Sequence, residues 1–72
     1  MAEQILVGKR ATVTGRVGPG TTGEVSVRVR GGTETYFAHP VDGVEVIHTG
    51  KQVLIVSAAP SRTVYVTAID VY

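Results

Sequence analysis

Residues 24–30 read Glu-Val-Ser-Val-Arg-Val-Arg, and this stretch decides the fold. Its three valines occupy alternate positions, and polar or charged side chains fill the positions between them. Successive side chains of a β-strand point to opposite faces, so this pattern predicts a strand with one buried face and one solvent face. No stretch of the chain repeats apolar residues at helical spacing. The sequence therefore predicts an all-β protein.

Four further strands are predicted around this one. The first is interrupted at Gly15, as a barrel strand is where it bends sharply. The Gly31-Gly32 pair indicates a hairpin, and Pro40 opens a connection over 40–50 with a brief extended piece and no crossover helix. Five short strands separated by glycine and proline turns favour a small OB-like or SH3-like barrel. The predicted strands cover residues 6–17, 23–30, 33–39, 52–57 and 62–71.

The length of 72 residues predicts a single domain, 1–72. A domain this small buries only about 60% of its unfolded surface, so its stability is marginal and every apolar strand face is needed. Cysteine is absent, which excludes disulfides and thiolate metal sites as further support. The continuous apolar run 53–56 predicts a strand that is buried on both faces or whose outer face meets another surface.

Catalytic and cofactor motifs are weak. Residues 18–23 satisfy G-x-G-x-x-G, but the strand pattern resumes at once where a dinucleotide site requires a helix, so we interpret them as a hairpin loop. Two histidines, His39 and His48, are too few for a three-ligand metal site and are predicted to be exposed loop residues. Neither Lys9 nor Lys51 has the setting of a biotinyl or lipoyl carrier lysine. We therefore predict a protein that is not an enzyme and binds no cofactor.

Binding of single-stranded nucleic acid is the alternative that the residues leave open. Arg28 and Arg30 lie on the outer parity of strand two, and Tyr36 or Phe37 on the next strand could stack on a base, although parity lets only one of them face outward. Against this stand a formal net charge of only +1 and the nearby Glu34, which could instead pair with an arginine across the strands.

Several stretches along almost the whole chain resemble one family. They are LVGKRATVTGRV at 6–17, GEVSVRV at 23–29, YFA at 36–38, VIHTGKQVLIV at 46–56 and TVYV at 63–66. They are similar to the C-terminal soluble domain of NfeD-like proteins. The sequence departs from the family pattern at Arg10, where a second glycine is common, at Tyr36, where tryptophan is frequent, and in the longer 18–23 loop. The resemblance implies a five-stranded OB-like barrel without the usual helix between strands three and four.

The resemblance also implies a function. The domain would be tethered to a membrane by helices that precede it, with the cytoplasmic side expected, and would partner stomatin-like, prohibitin-like or flotillin-like scaffold proteins and influence membrane protease activity. The chain itself has no signal-peptide pattern and no apolar run of about 18 residues, so it is expected to be soluble without inserting into the membrane. The oligomeric state is left open. The residues predicted to form the partner surface are Arg28, Arg30, Tyr36, Phe37, His39, His48 and Tyr65, with Tyr72 as a further candidate.

Overall fold

A computed structural model describes residues 6–69 as a closed five-stranded barrel. Around the barrel the order is β1-β2-β3-β5-β4; β3 and β5 pair in parallel and every other pair is antiparallel. No helix occurs in the described range, including the connection between β3 and β4. The prediction of an all-β barrel without that helix is confirmed. The strands are β1 (Arg10–Gly15), β2 (Gly23–Val29), β3 (Gly32–Pro40), β4 (Gln52–Ala59) and β5 (Thr63–Ala68).

The first strand is shorter than predicted. Gly8 adopts φ +93°, a turn conformation that favours glycine, so the ladder starts only at Arg10. After Gly15 the chain makes one isolated bridge, between Val17 and Ile47. The predicted end of strand five at residues 70–71 lies outside the described residues, and the strand ends at Ala68.

The β2–β3 hairpin turns one residue earlier than predicted. Val29 pairs with Gly32, which leaves Arg30 and Gly31 as the two turn residues. Both have positive φ, 36° and 78°, as a type I′ turn requires. Arg30 therefore belongs to the turn and not to the outer row of strand two.

The barrel interior is built from aliphatic side chains, as the composition predicts. The three valines of β2 are buried, and Val53 and Ile55 of β4 have no solvent contact. The outer residues of β4 differ, since Leu54 is 37% and Val56 39% exposed. The prediction that β4 is buried on both faces is therefore not met within residues 6–69, where its outer face stays partly exposed.

Two β-bulges curve the barrel. The register shifts between Val13 and Gly15 on β1, and between Ile55 and Ser57 on β4. A bulge bends the strand that carries it and increases its twist, which helps five strands to close. The bend predicted at Gly15 therefore coincides to within one residue with the bulge on β1.

Candidate partner-binding surface

Tyr36 is not part of the outer surface, which corrects its inclusion among the partner residues. Its side chain is 9% exposed and belongs to the core cluster. The register of β3 turns Tyr36 and Ala38 inward, where an otherwise valine-rich core needs bulk. Arg62 covers the ring from the solvent side, with its guanidinium carbon 4.6 Å from the ring centroid.

Glu34 forms its ion pair with Arg62, and not with Arg28 or Arg30 as the cross-strand alternative suggested. Arg62 Nη2 donates to Glu34 Oε1 at 3.0 Å and to the carbonyl oxygen of Thr35 at 2.8 Å. Both side chains of the ion pair are about half exposed. Such a pair contributes at most about 1 kcal/mol, so its main effect is to place Arg62 over the tyrosine.

Phe37, His39 and Tyr65 lie together on the outer face of β3 and β5. Phe37 is 48% exposed. His39 is half-buried within β3, so the prediction of an exposed loop residue is wrong for it. It pairs in register with Tyr65, and the two ring centroids are 5.9 Å apart. A shallow depression is lined by Thr22, Phe37, His39, Ser61 and Thr63. This face is one candidate contact surface.

Arg28 and Arg30 lie away from that aromatic face. Phe37 is opposite Glu24 in the β2–β3 ladder, whereas Arg28 is opposite Thr33. The exposed ring of Phe37 therefore has an acidic neighbour. Arg28 lies four residues further along β2, which corresponds to about 13 Å. The stacking groove of the nucleic-acid hypothesis is therefore not assembled.

His48 lies on the connection between β3 and β4, which also carries a set of exposed valines. Val41 is 44%, Val44 68% and Val46 50% exposed. We name residues 41–46 the valine loop. From this connection the sequence predicted His48 as a contact residue and not the valines. The signal that could have identified them is their position on either side of Asp42-Gly43, a turn sequence typical of the surface.

Hydrogen bonds within the valine loop, and others between the loop and β5, hold it in place. Asp42 Oδ1 accepts hydrogen bonds from the backbone N–H groups of Val44 at 2.9 Å and Glu45 at 3.0 Å. Glu45 Oε1 accepts from Thr67 Oγ1 at 3.2 Å and from the Ala68 N–H at 3.3 Å. The exposed valines are therefore presented on an ordered loop, which lowers the entropic cost of binding a partner.

The Asp42 carboxylate makes the loop sensitive to acid. The N–H groups of Val44 and Glu45 hold the pKa of Asp42 below its usual 3.8. A lowered pKa means that the turn is fully supported above pH 3.8 and loses this support as the pH falls through the lowered value. We expect the protection factors of the Val44 and Glu45 amide protons, which compare their exchange rates with those of an unstructured chain at the same pH, to fall in that acid range, measured by NMR. In Asp42→Asn the acceptor remains but does not titrate, so an unchanged acid response of the Val44 amide in that variant would contradict this assignment.

Within residues 6–69, no three His, Cys, Asp or Glu side chains come close enough to hold a metal ion. In the same range, no helix is long and apolar enough to cross a bilayer. The glycine-rich loop 18–23 leads directly into β2 at Gly23, so the helix N-terminus that a dinucleotide site requires is not formed there. Tyr72 lies outside the described residues.

Comparison with known proteins places this barrel in a family. The family model described as the NfeD C-terminal domain matches residues 10–67. Among solved structures, the chain is similar to the soluble domain of the NfeD protein YuaF from Bacillus subtilis, with 28% identity, a TM-score of 0.75, and coverage of 90% of this chain and 75% of that one. The comparison with curated proteins gave no match. Since the family model covers most of the chain, the protein belongs to the NfeD C-terminal domain family.

Proposed function

We propose that this domain is a non-catalytic protein-interaction module that binds a stomatin-like, prohibitin-like or flotillin-like membrane scaffold protein. Through that contact it would influence membrane protease activity, with helices of a longer parent chain tethering it to the membrane. The observation that carries the proposal is the valine loop, which exposes Val41, Val44 and Val46 on a turn ordered by Asp42 and Glu45. Family membership supports the same reading.

The valine loop has the composition of an interface core. Contact surfaces combine exposed apolar anchors with a polar rim, and a few anchors supply most of the binding energy. Val44 is the most exposed large hydrophobic residue in the described range, and acidic groups flank it at Asp42 and Glu45. Because the turn already fixes Val44, burying it requires little further ordering of the backbone.

Val44→Asp should reduce capture of the scaffold protein about tenfold or more, the loss typical of an interface anchor. The measurement uses the tagged domain as bait in solubilised membranes and cytosol of the source organism, with and without nuclease, and quantifies captured proteins by mass spectrometry. We expect a scaffold protein of one of these three classes, retained after nuclease treatment, with wild-type bait.

Ser61→Asp is the matched control, because it adds the same charge in an exposed turn where Ser61 already has a φ of 65°, a conformation that aspartate tolerates. It lies beside Phe37 and away from the valine loop. Loss of capture in Ser61→Asp and not in Val44→Asp would move the contact to the aromatic face. Nuclease-sensitive capture of nucleic-acid-associated proteins would replace the proposal with the nucleic-acid alternative.

A further inference from the structure

A second surface lies on the outer face of β2, β1 and β4, and it combines arginines with hydroxyl groups. Thr12 of β1 pairs with Ser26 on one side and with Gln52 on the other. In the neighbouring row, Arg10 pairs with Leu54. The β1–β2 ladder ends with Thr12 and Ser26, and Arg28 follows Ser26 in the outer row of β2. A shallow depression of about 320 Å³ is lined by Arg10, Ala11, Thr12, Ser26, Arg28 and Gln52. We name this depression and its two rows the arginine face.

Arg10 and Arg28 line the same depression, and neither forms a salt bridge with an acidic side chain of residues 6–69. Like charges that lie close together repel each other, so this placement is unfavourable in the free protein. Among the described residues the single salt bridge is that of Arg62 with Glu34, at the other side of the hairpin. The remaining described acids also have other partners, since Glu24 accepts from Thr14, and Asp42 and Glu45 hold the valine loop.

Among residues 6–69, positive charge is concentrated at the end of the barrel that carries Arg10 and Arg28. Lys9 precedes Arg10 at the start of β1, and Arg30 follows Arg28 in the β2–β3 turn; all four side chains are exposed. The formal charge of +1 for the whole chain therefore conceals a local excess of cations. Thr12 and Ser26, in the row next to the arginines, are half-buried and add hydroxyl donors.

We infer that the arginine face binds the carboxylates of an acidic peptide segment. Guanidinium groups bind carboxylates with two parallel hydrogen bonds, and a carboxylate between Arg10 and Arg28 would remove their mutual repulsion. Leu54, 37% exposed in the same row, would take an aliphatic side chain of that peptide. A nucleic acid is the weaker fit, because the exposed aromatic ring needed for stacking, Phe37, lies opposite Glu24.

This inference extends the proposed function, because it specifies that the bound protein carries an acidic, partly aliphatic segment. It rests on the proposed function only for the identity of that protein. We expect a fluorescein-labelled peptide of repeating Glu-Glu-Leu units to bind the domain. The double substitution Arg10→Gln with Arg28→Gln should lower the affinity about tenfold or more. Fluorescence anisotropy measures the affinity. Arg16→Gln with Lys51→Gln is the control, since it removes the same charge from exposed positions outside the arginine face, and less than a twofold loss is expected.

A thermal measurement tests the same site without relying on the affinity value. Replacing these two exposed arginines should leave the barrel folded, and the peptide should raise the Tm of the wild type by more than that of the double arginine variant. Equal losses of affinity in both double variants would show a diffuse charge effect and overturn the inference. Tighter binding of an oligothymidylate with the same arginine dependence would overturn it in favour of nucleic acid. Failure of scaffold capture together with arginine-dependent peptide binding would reject the proposed partner class and leave the inference standing.

Discussion

Gly23→Ala should destabilise the barrel by about 3 kcal/mol or more, because a β-carbon has no space at this position. It would lie 2.7 Å from Val17 Cγ2 and 2.8 Å from both the carbonyl oxygen of Arg16 and the Cα of Val17. Val17 is fully buried and bridged to Ile47, so the neighbouring backbone cannot move aside cheaply. The Tm should fall by about 12 to 24 °C for a domain of this size, measured by circular dichroism.

Gly18→Ala is the control for this prediction, since it lies in the same loop and carries the same change. A β-carbon at Gly18 would meet only Val46 Cγ2, at 3.7 Å, which is ordinary van der Waals contact. Alanine there should be neutral or stabilising by a few tenths of a kcal/mol through the unfolded state. Equal Tm values for the two variants would show that the 18–23 loop relaxes around either side chain, contrary to our account.

The strands could be predicted because their signals are local. The Val25, Val27 and Val29 alternation needs only the neighbouring residues, and it indicates both the strand and its buried face. The strand ends depend on tertiary contacts, so β1 was predicted too long at both sides. The turn at Arg30 and Gly31 differs by one residue because a glycine pair allows either register until the pairing of Val29 with Gly32 is known.

The candidate surface was harder to predict, because it depends on which strands pair. Parity allowed either Tyr36 or Phe37 to face inward, and only the closed barrel turns Tyr36 into the core and leaves Phe37 outside. In the sequence, Arg10 is only a departure from the family pattern, since nothing local places it near Arg28. The two arginines line one depression because β1 pairs with β2 in the closed barrel, which no local pattern encodes.

The two faces of β4 explain its uninterrupted apolar sequence. Inner residues such as Ile55 close the core, whereas Leu54 and Val56 remain partly exposed beside the arginine face. If the inner face supplies stability and the outer face supplies contact, equal deletions on the two faces must have unequal effects. A total stability of about 4 to 11 kcal/mol for 72 residues makes this difference easy to measure.

Ile55→Ala should destabilise the domain by about 2 to 5 kcal/mol, since Ile55 is fully buried and the lost atoms leave a cavity. Leu54→Ala deletes the same number of carbon atoms from the preceding residue, yet it should cost only about 1 to 2 kcal/mol, because Leu54 is already 37% exposed and its removal leaves no enclosed cavity. Urea unfolding of the three proteins measures both values, and a constant m-value would show that the same surface is exposed in each. A cost for Leu54→Ala comparable to that of Ile55→Ala would mean that the outer face of β4 is buried in solution. Self-association, detected by sedimentation, would then be the first explanation to test.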